Sequence, residues 1–169
     1  MGSKELFEYS QLVRSRFLEK LATLPWEEVT KSRGASFDSL RNVMLHTIDV
    51  EGWLFNVIIG QPKQWVSRNP DEFHDLDSIR KSASEVESKV KAYLSSLTPA
   101  ELERKVEFPR RHSEAPPLKI RVDDILLHGA VENIYHFGEL IALLWQMDME
   151  PPFMGWISYL QSKQPPNAP

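Results

Sequence analysis

Four stretches of this chain repeat apolar residues every three or four positions, and that periodicity leaves few folds open to it. In the first, Leu6, Tyr9, Leu12, Val13, Phe17, Leu21 and Leu24 share one face of a helix predicted over 3–23. Ser3 is its cap and Pro25 marks its end. In the second, Leu40, Val43, Met44, Thr47, Val50, Leu54, Val57 and Ile58 form a broad apolar face over 36–59. Ser36 can cap it, and Gly60-Gln61-Pro62 stops it. The third helix, over 77–96, turns Ile79, Val86, Val90, Tyr93, Leu94 and Leu97 inward. The fourth, over 121–147, carries Val122, Ile125, Leu126, Ile134, Leu140, Ile141, Leu144 and Trp145. An apolar stripe must be buried against another element, so four such helices predict an all-α four-helix bundle.

The connections are polar. Residues 26–34 read as a link, and 63–76 is irregular with an Asn69-Pro70 turn signal. Thr98-Pro99-Ala100-Glu101 starts a short helical turn. An irregular segment over 103–117 precedes the fourth helix, and within it Lys105-Val106-Glu107-Phe108 alternates like a short strand. A short helix over 153–162 is predicted beyond Pro151-Pro152. The expected organisation is one helical domain over 1–163 and a Pro-rich tail over 164–169. Gly52 stands inside the second helix, where glycine costs about 1 kcal/mol against alanine. A close helix–helix contact or room for a ligand would justify it.

A chain of 169 residues can bury one sizeable core. Its net charge of −4 argues against a nucleic-acid partner. It has no cysteine, which excludes disulfides, thiolate metal sites and a cysteine nucleophile of its own. Any metal must be held by nitrogen and oxygen, which suits Zn, Ni, Mn or Fe(II). The first residues lack the apolar core of a signal peptide, and no apolar run is long enough to span a bilayer. A cytoplasmic protein with no membrane partner is expected.

Against this apolar background two histidine segments stand out. His46 lies between Leu45 and Thr47 in the second helix. His128, Glu132 and His136 are spaced i, i+4, i+8 and make one stripe on the fourth. His46 by itself reads equally as a core or interface histidine with one hydrogen bond, and Glu132 with His136 as a surface pair. Together, with apolar neighbours on both helices, they are candidate metal ligands, because a buried carboxylate there needs a cation. Glu132 and His136, one turn apart, can bind a single ion, and His46 can complete the set. His128 is a fourth ligand, a group that orients a ligand, or a surface residue. Asp49, one turn from His46, could orient its ring, or with Glu51 belong to the solvated face. Arg110, Arg111 and Arg121 could bind substrate carboxylates near the site, although Glu101, Glu103, Glu107 and Glu114 are interleaved with them.

The chain resembles the DinB-like family of metal-binding four-helix bundles, which includes bacillithiol and mycothiol S-transferases. The resemblance is carried by His46, Asp49, Glu51 and Trp53, by His136-Phe137-Gly138-Glu139, and by the closing Leu143-Leu144-Trp145-Gln146-Met147-Asp148-Met149-Glu150-Pro151-Pro152. The family pattern places one metal-binding histidine on the second helix and two, spaced i, i+4, on the fourth. Here the first falls on His46 and the last on His136, while Glu132 occupies the middle position. The usual Arg-Gly-Gln after the last histidine is Phe137-Gly138-Glu139.

The resemblance implies one divalent ion per chain, Zn or Ni first and Mn or Fe after them. It also implies a homodimer, and transfer of a low-molecular-weight thiol to an electrophile or hydrolysis of a small substrate. The absence of cysteine agrees with a thiol supplied by a cosubstrate. The alternative is a dimeric stress protein that binds a metal or small ligand without turnover.

Overall fold

The structure is a computed structural model, and it describes residues 2–34, 36–110, 115–152 and 155–164. Its elements are α1 (Ser3–Leu21), α2 (Trp26–Thr30), α3 (Leu40–Ile58), α4 (Leu76–Ser95), α5 (Pro99–Glu103), β1 (Lys105–Phe108), β2 (Leu118–Arg121), α6 (Val122–Trp145) and α7 (Trp156–Ser162). The four long helices are the four predicted from periodicity, and the fold is an all-α bundle with one small hairpin.

Helix α6 packs along both α1 and α3, and α4 closes the bundle against α3 and α1. Phe17, Leu40, Val43, Met44, Ile48, Ile79, Val122, Leu140 and Leu144 are wholly removed from solvent. Each contributes about 1.5–3 kcal/mol from burial alone. Phe17 stacks on Phe137 at 5.3 Å between ring centres, which joins α1 to α6.

Several helix ends differ from the sequence reading. Ser39, not Ser36, caps α3 by accepting from the Asn42 amide at 3.2 Å. Asp75 caps α4 through the Ser78 amide at 2.8 Å. Ser3 lies inside α1, where its hydroxyl donates to Asp123 of α6. The link after α1 contains the short helix α2. The predicted strand at 105–108 exists, and its partner is β2, in antiparallel register with Val106 opposite Ile120. Of the last helix, Phe153 and Met154 lie outside the described residues, as does most of the predicted tail.

Gly52 makes room for a loop side chain. A Cβ there would fall 2.1 Å from the Trp65 ring, so a loop tryptophan packs directly on the helix backbone. Arg68 lies over that ring at 4.8 Å and pairs with Asp49 at 2.6 Å.

Glu51 is not on a solvated face. It is fully buried, and Arg14 of α1, equally buried, pairs with it at 2.7 Å. Gln11 donates to its other oxygen at 2.6 Å, and Glu87 of α4 accepts from Arg14 at 2.8 Å. Burial pushes the Glu51 carboxyl above its ordinary value against the pull of Arg14 and Gln11. This network joins three helices inside the core.

Candidate metal centre

Side-by-side packing of α3 and α6 carries His46 to Glu132 and His136. One ligand atom from each of the three lies within 4.8 Å of the others. The two imidazole rings meet edge to face, 4.6 Å apart at 80°. His136 Nε2 is 3.7 Å from a Glu132 carboxylate oxygen. His136 is buried, while His46 and Glu132 are half-buried.

This donor set fits a divalent ion. Two neutral imidazoles and a carboxylate supply lone pairs and one negative charge, the ligand chemistry of Zn, Ni, Mn and Fe(II). Among the described residues no Lys or Arg pairs with Glu132.

The surroundings hold the rings in place. Phe37 stacks flat on His46 at 3.9 Å and meets His136 edge-on at 5.3 Å. The second ring nitrogen of His136, Nδ1, lies 3.2 Å from Glu139 Oε2. Glu139 in turn accepts from the Ser36 amide at 2.6 Å and from its hydroxyl at 2.7 Å. Burial pushes the Glu139 carboxyl up, but the Ser36 donors and His136 outweigh it and bring the carboxyl below its ordinary value.

His46 and Glu132 open on a cleft of about 490 Å³. Val50, Trp53, Phe108 and Leu118 form its apolar walls, and Arg110 and His128 are its other polar groups. A larger cleft, about 750 Å³, lies between α3 and α4, but no histidine lines it. The site belongs to the smaller cleft because the donor set is there.

The other residues singled out from sequence are placed as follows. His128 is exposed at the cleft, edge-on to Phe108 at 6.5 Å, and is not one of the three converging groups. Both carboxylate oxygens of Asp49 go to Arg68, so it anchors the 62–72 segment to α3. Arg110 reaches the cleft while its Nε donates to the Pro116 carbonyl at 3.0 Å. Arg111 lies outside the described residues. Arg121 does not line the cleft. Asp124 and Glu103 hold it at 2.8 and 2.9 Å and push its pKa further up. Sequence reasoning gave Glu139 only as part of the family resemblance and Ser36 only as a helix cap, and it did not single out Phe37. The one available signal was that Glu139 follows His136 by a single helical turn.

Fold and donor set together define a helical bundle with a cluster able to hold a metal ion. The family model of the DinB family matches residues 1–167, and the chain belongs to that family. The structure is similar to the crystal structure of a DinB family member from Shewanella denitrificans, with a TM-score of 0.60. That protein is 14% identical, and the match covers 99% of this chain and 91% of the other. At this identity the likeness shows the fold. No curated protein matches the chain.

Proposed function

We propose that this chain is a metal-dependent enzyme of the DinB type. It transfers a low-molecular-weight thiol to an electrophile, or hydrolyses a small substrate, at one divalent ion. The observation that supports this most is the convergence of His46, Glu132 and His136 within 4.8 Å at the head of an open cleft. Zn or Ni is the first expectation, with Mn or Fe next. Once bound, such an ion supplies Lewis-acid chemistry and lowers the pKa of a thiol or water.

The chain's own residues supply the rest. His46 and Glu132 face the cleft, so substrate approaches from their side. Val50, Trp53, Phe108 and Leu118 exclude water from an apolar substrate body. Arg110 offers its remaining guanidinium donors to an acidic group. No side-chain thiol competes for the ion, because the chain has no cysteine. A cytoplasmic location fits this chemistry, and no described helix is long and apolar enough to cross a membrane.

Metal content of the purified protein, by mass spectrometry, is the first test. One divalent ion per chain, weakened or lost in Glu132→Ala, is the expected result. A panel of thiols and electrophiles then reads turnover. Full metal loading with no product from any pair would turn the assignment to the non-catalytic reading.

That second reading is a dimeric stress protein that binds metal or a small ligand. Two observations favour it. Glu132 stands where the family pattern has histidine, and α6 leaves Leu127, Val131, Ile134, Tyr135 and Trp145 exposed along one stripe. Their spacing of three, four and seven residues suits a helix from a second copy. Sedimentation at micromolar concentration, with Val131→Lys as the disrupting variant, tests the homodimer.

A further inference from the structure

We infer that the turn around Ser36 and Phe37 is the positioning element of the metal centre, with Glu139 as its lever on His136. This rests on the metal-site reading of His46, Glu132 and His136. Glu139 is a positioning residue: it acts through the His136 ring and contributes no ligand.

An imidazole offers two nitrogens, and a neutral ring carries its proton on only one. His136 Nε2 faces Glu132 at 3.7 Å, toward the ligand cluster. Nδ1 faces Glu139 Oε2 at 3.2 Å. A carboxylate that already accepts from the Ser36 amide and hydroxyl presents an acceptor oxygen to the ring, so it selects the tautomer with the proton on Nδ1. That leaves the Nε2 lone pair directed at the place where an ion would sit. A carboxylate behind a ligating histidine fixes ring orientation and raises its basicity.

Glu139 is itself fixed. Its Oε1 accepts from the Ser36 amide at 2.6 Å, and the Ser36 hydroxyl lies within 2.8 and 2.7 Å of its two oxygens. The turn that presents Ser36 is held in turn. Asp38 sits in the left-handed region at φ 72°, which a non-glycine residue keeps only when its surroundings impose it. The Arg33 amide donates to the Asp38 carbonyl at 2.7 Å, and the Ser32 hydroxyl donates to its carboxylate at 2.5 Å. Between Ser36 and Asp38 stands Phe37, stacked on His46 at 3.9 Å and 20°. One turn therefore reaches both nitrogen ligands, one by stacking and the other through Glu139. Residues 103 apart in sequence are coupled this way.

The competing account is that Ser36 and Glu139 merely tie the turn to α6, with no effect on the ring. Two measurements separate the accounts. The first needs no metal: nitrogen chemical shifts of the His136 ring by NMR, in apo protein at a pH where the ring is neutral. We expect the Nδ1–H tautomer in the wild type and a mixture in Glu139→Ala. An Nε2–H tautomer in the wild type overturns the inference.

The second is the Zn(II) dissociation constant by chelator competition, on variants shown to be folded by circular dichroism. Glu139→Ala should bind roughly 10–100-fold more weakly, the range for losing such a partner. Glu139→Gln should fall between it and the wild type. Ser36→Ala should lose less than Glu139→Ala, because the backbone amide remains as a donor. Zinc affinity of Glu139→Ala within about twofold of the wild type, against the loss expected for such a partner, overturns the positioning role. If Glu139→Ala does not fold, Glu139→Gln carries the same comparison. A wild type that binds no zinc sinks the metal-site reading itself, and the tautomer measurement still decides what Glu139 does.

Discussion

Helix α3 carries a half-buried histidine, His46, and a buried glutamate, Glu51, that face different partners about 140° apart around the helix. Glu51 meets Arg14, Gln11 and, through Arg14, Glu87. There the protein supplies both the charge and its counter-charge. His46 meets Glu132 and His136, three groups that accept or coordinate, with no Lys or Arg paired to Glu132 among the described residues. The first cluster sets one guanidinium between two carboxylates and reads as a core tie between helices. The second brings together donors able to hold a metal ion. Matched charge inside a bundle marks architecture, and unmatched acceptors at a cleft mark binding.

The comparison can be broken most directly at the second cluster. His46→Ala and His136→Ala should each abolish stoichiometric metal while far-UV circular dichroism stays that of a helical bundle. Retained metal in pure His136→Ala would sink the site. The converse holds at the first cluster. Arg14→Leu leaves the Glu51 charge buried and unpaired, and should cost about 3–5 kcal/mol in urea unfolding, with metal content unchanged. A double variant, Arg14→Leu with Glu51→Leu, should recover much of that loss. Failure to recover would mean that shape, not charge matching, holds the three helices.

Smaller effects sharpen the same contrast. Gly52→Ala would gain about 1 kcal/mol in helix propensity, but its Cβ would strike the Trp65 ring. Because overpacking typically costs about 1–3 kcal/mol, the net change should be destabilising, read as a lower urea midpoint. Glu139 has a folded pKa below its ordinary value of 4.5. Its contribution is therefore present above that value and is lost as pH falls through the folded pKa. Acid unfolding below about pH 4.5 should be steeper in the wild type than in Glu139→Gln. His128→Ala should leave metal content unchanged and stability within about 0.5 kcal/mol, since the ring is exposed. Metal loss in that variant would draw His128 into the site.

Much of the molecule was legible before its structure. The 3.6-residue period located all four long helices, because an apolar stripe is a local property of the chain. Spacing also paired Glu132 with His136, and apolar neighbours marked His46 as unusual. Helix ends were less legible. Ser36 looked like a cap, yet Ser39 does that work, and Ser36 is used instead by a glutamate on another helix. Glu51 looked solvated because its partner, Arg14, lies on a helix with no sequence sign of pairing. Gly52 could be noticed but not explained without Trp65 in place.

The sequence by itself determined the class of fold and the ligand atoms available: helices from periodicity, and nitrogen and oxygen donors from the absence of cysteine. Tertiary structure alone decided which polar groups meet. Only the packing of α3 beside α6 sets His46 against Glu132 and His136, and only the turn before α3 brings Ser36 to Glu139. The reason is physical. Periodicity follows from the geometry of one helix, whereas charge matching depends on atoms distant in sequence that become neighbours only when the bundle closes.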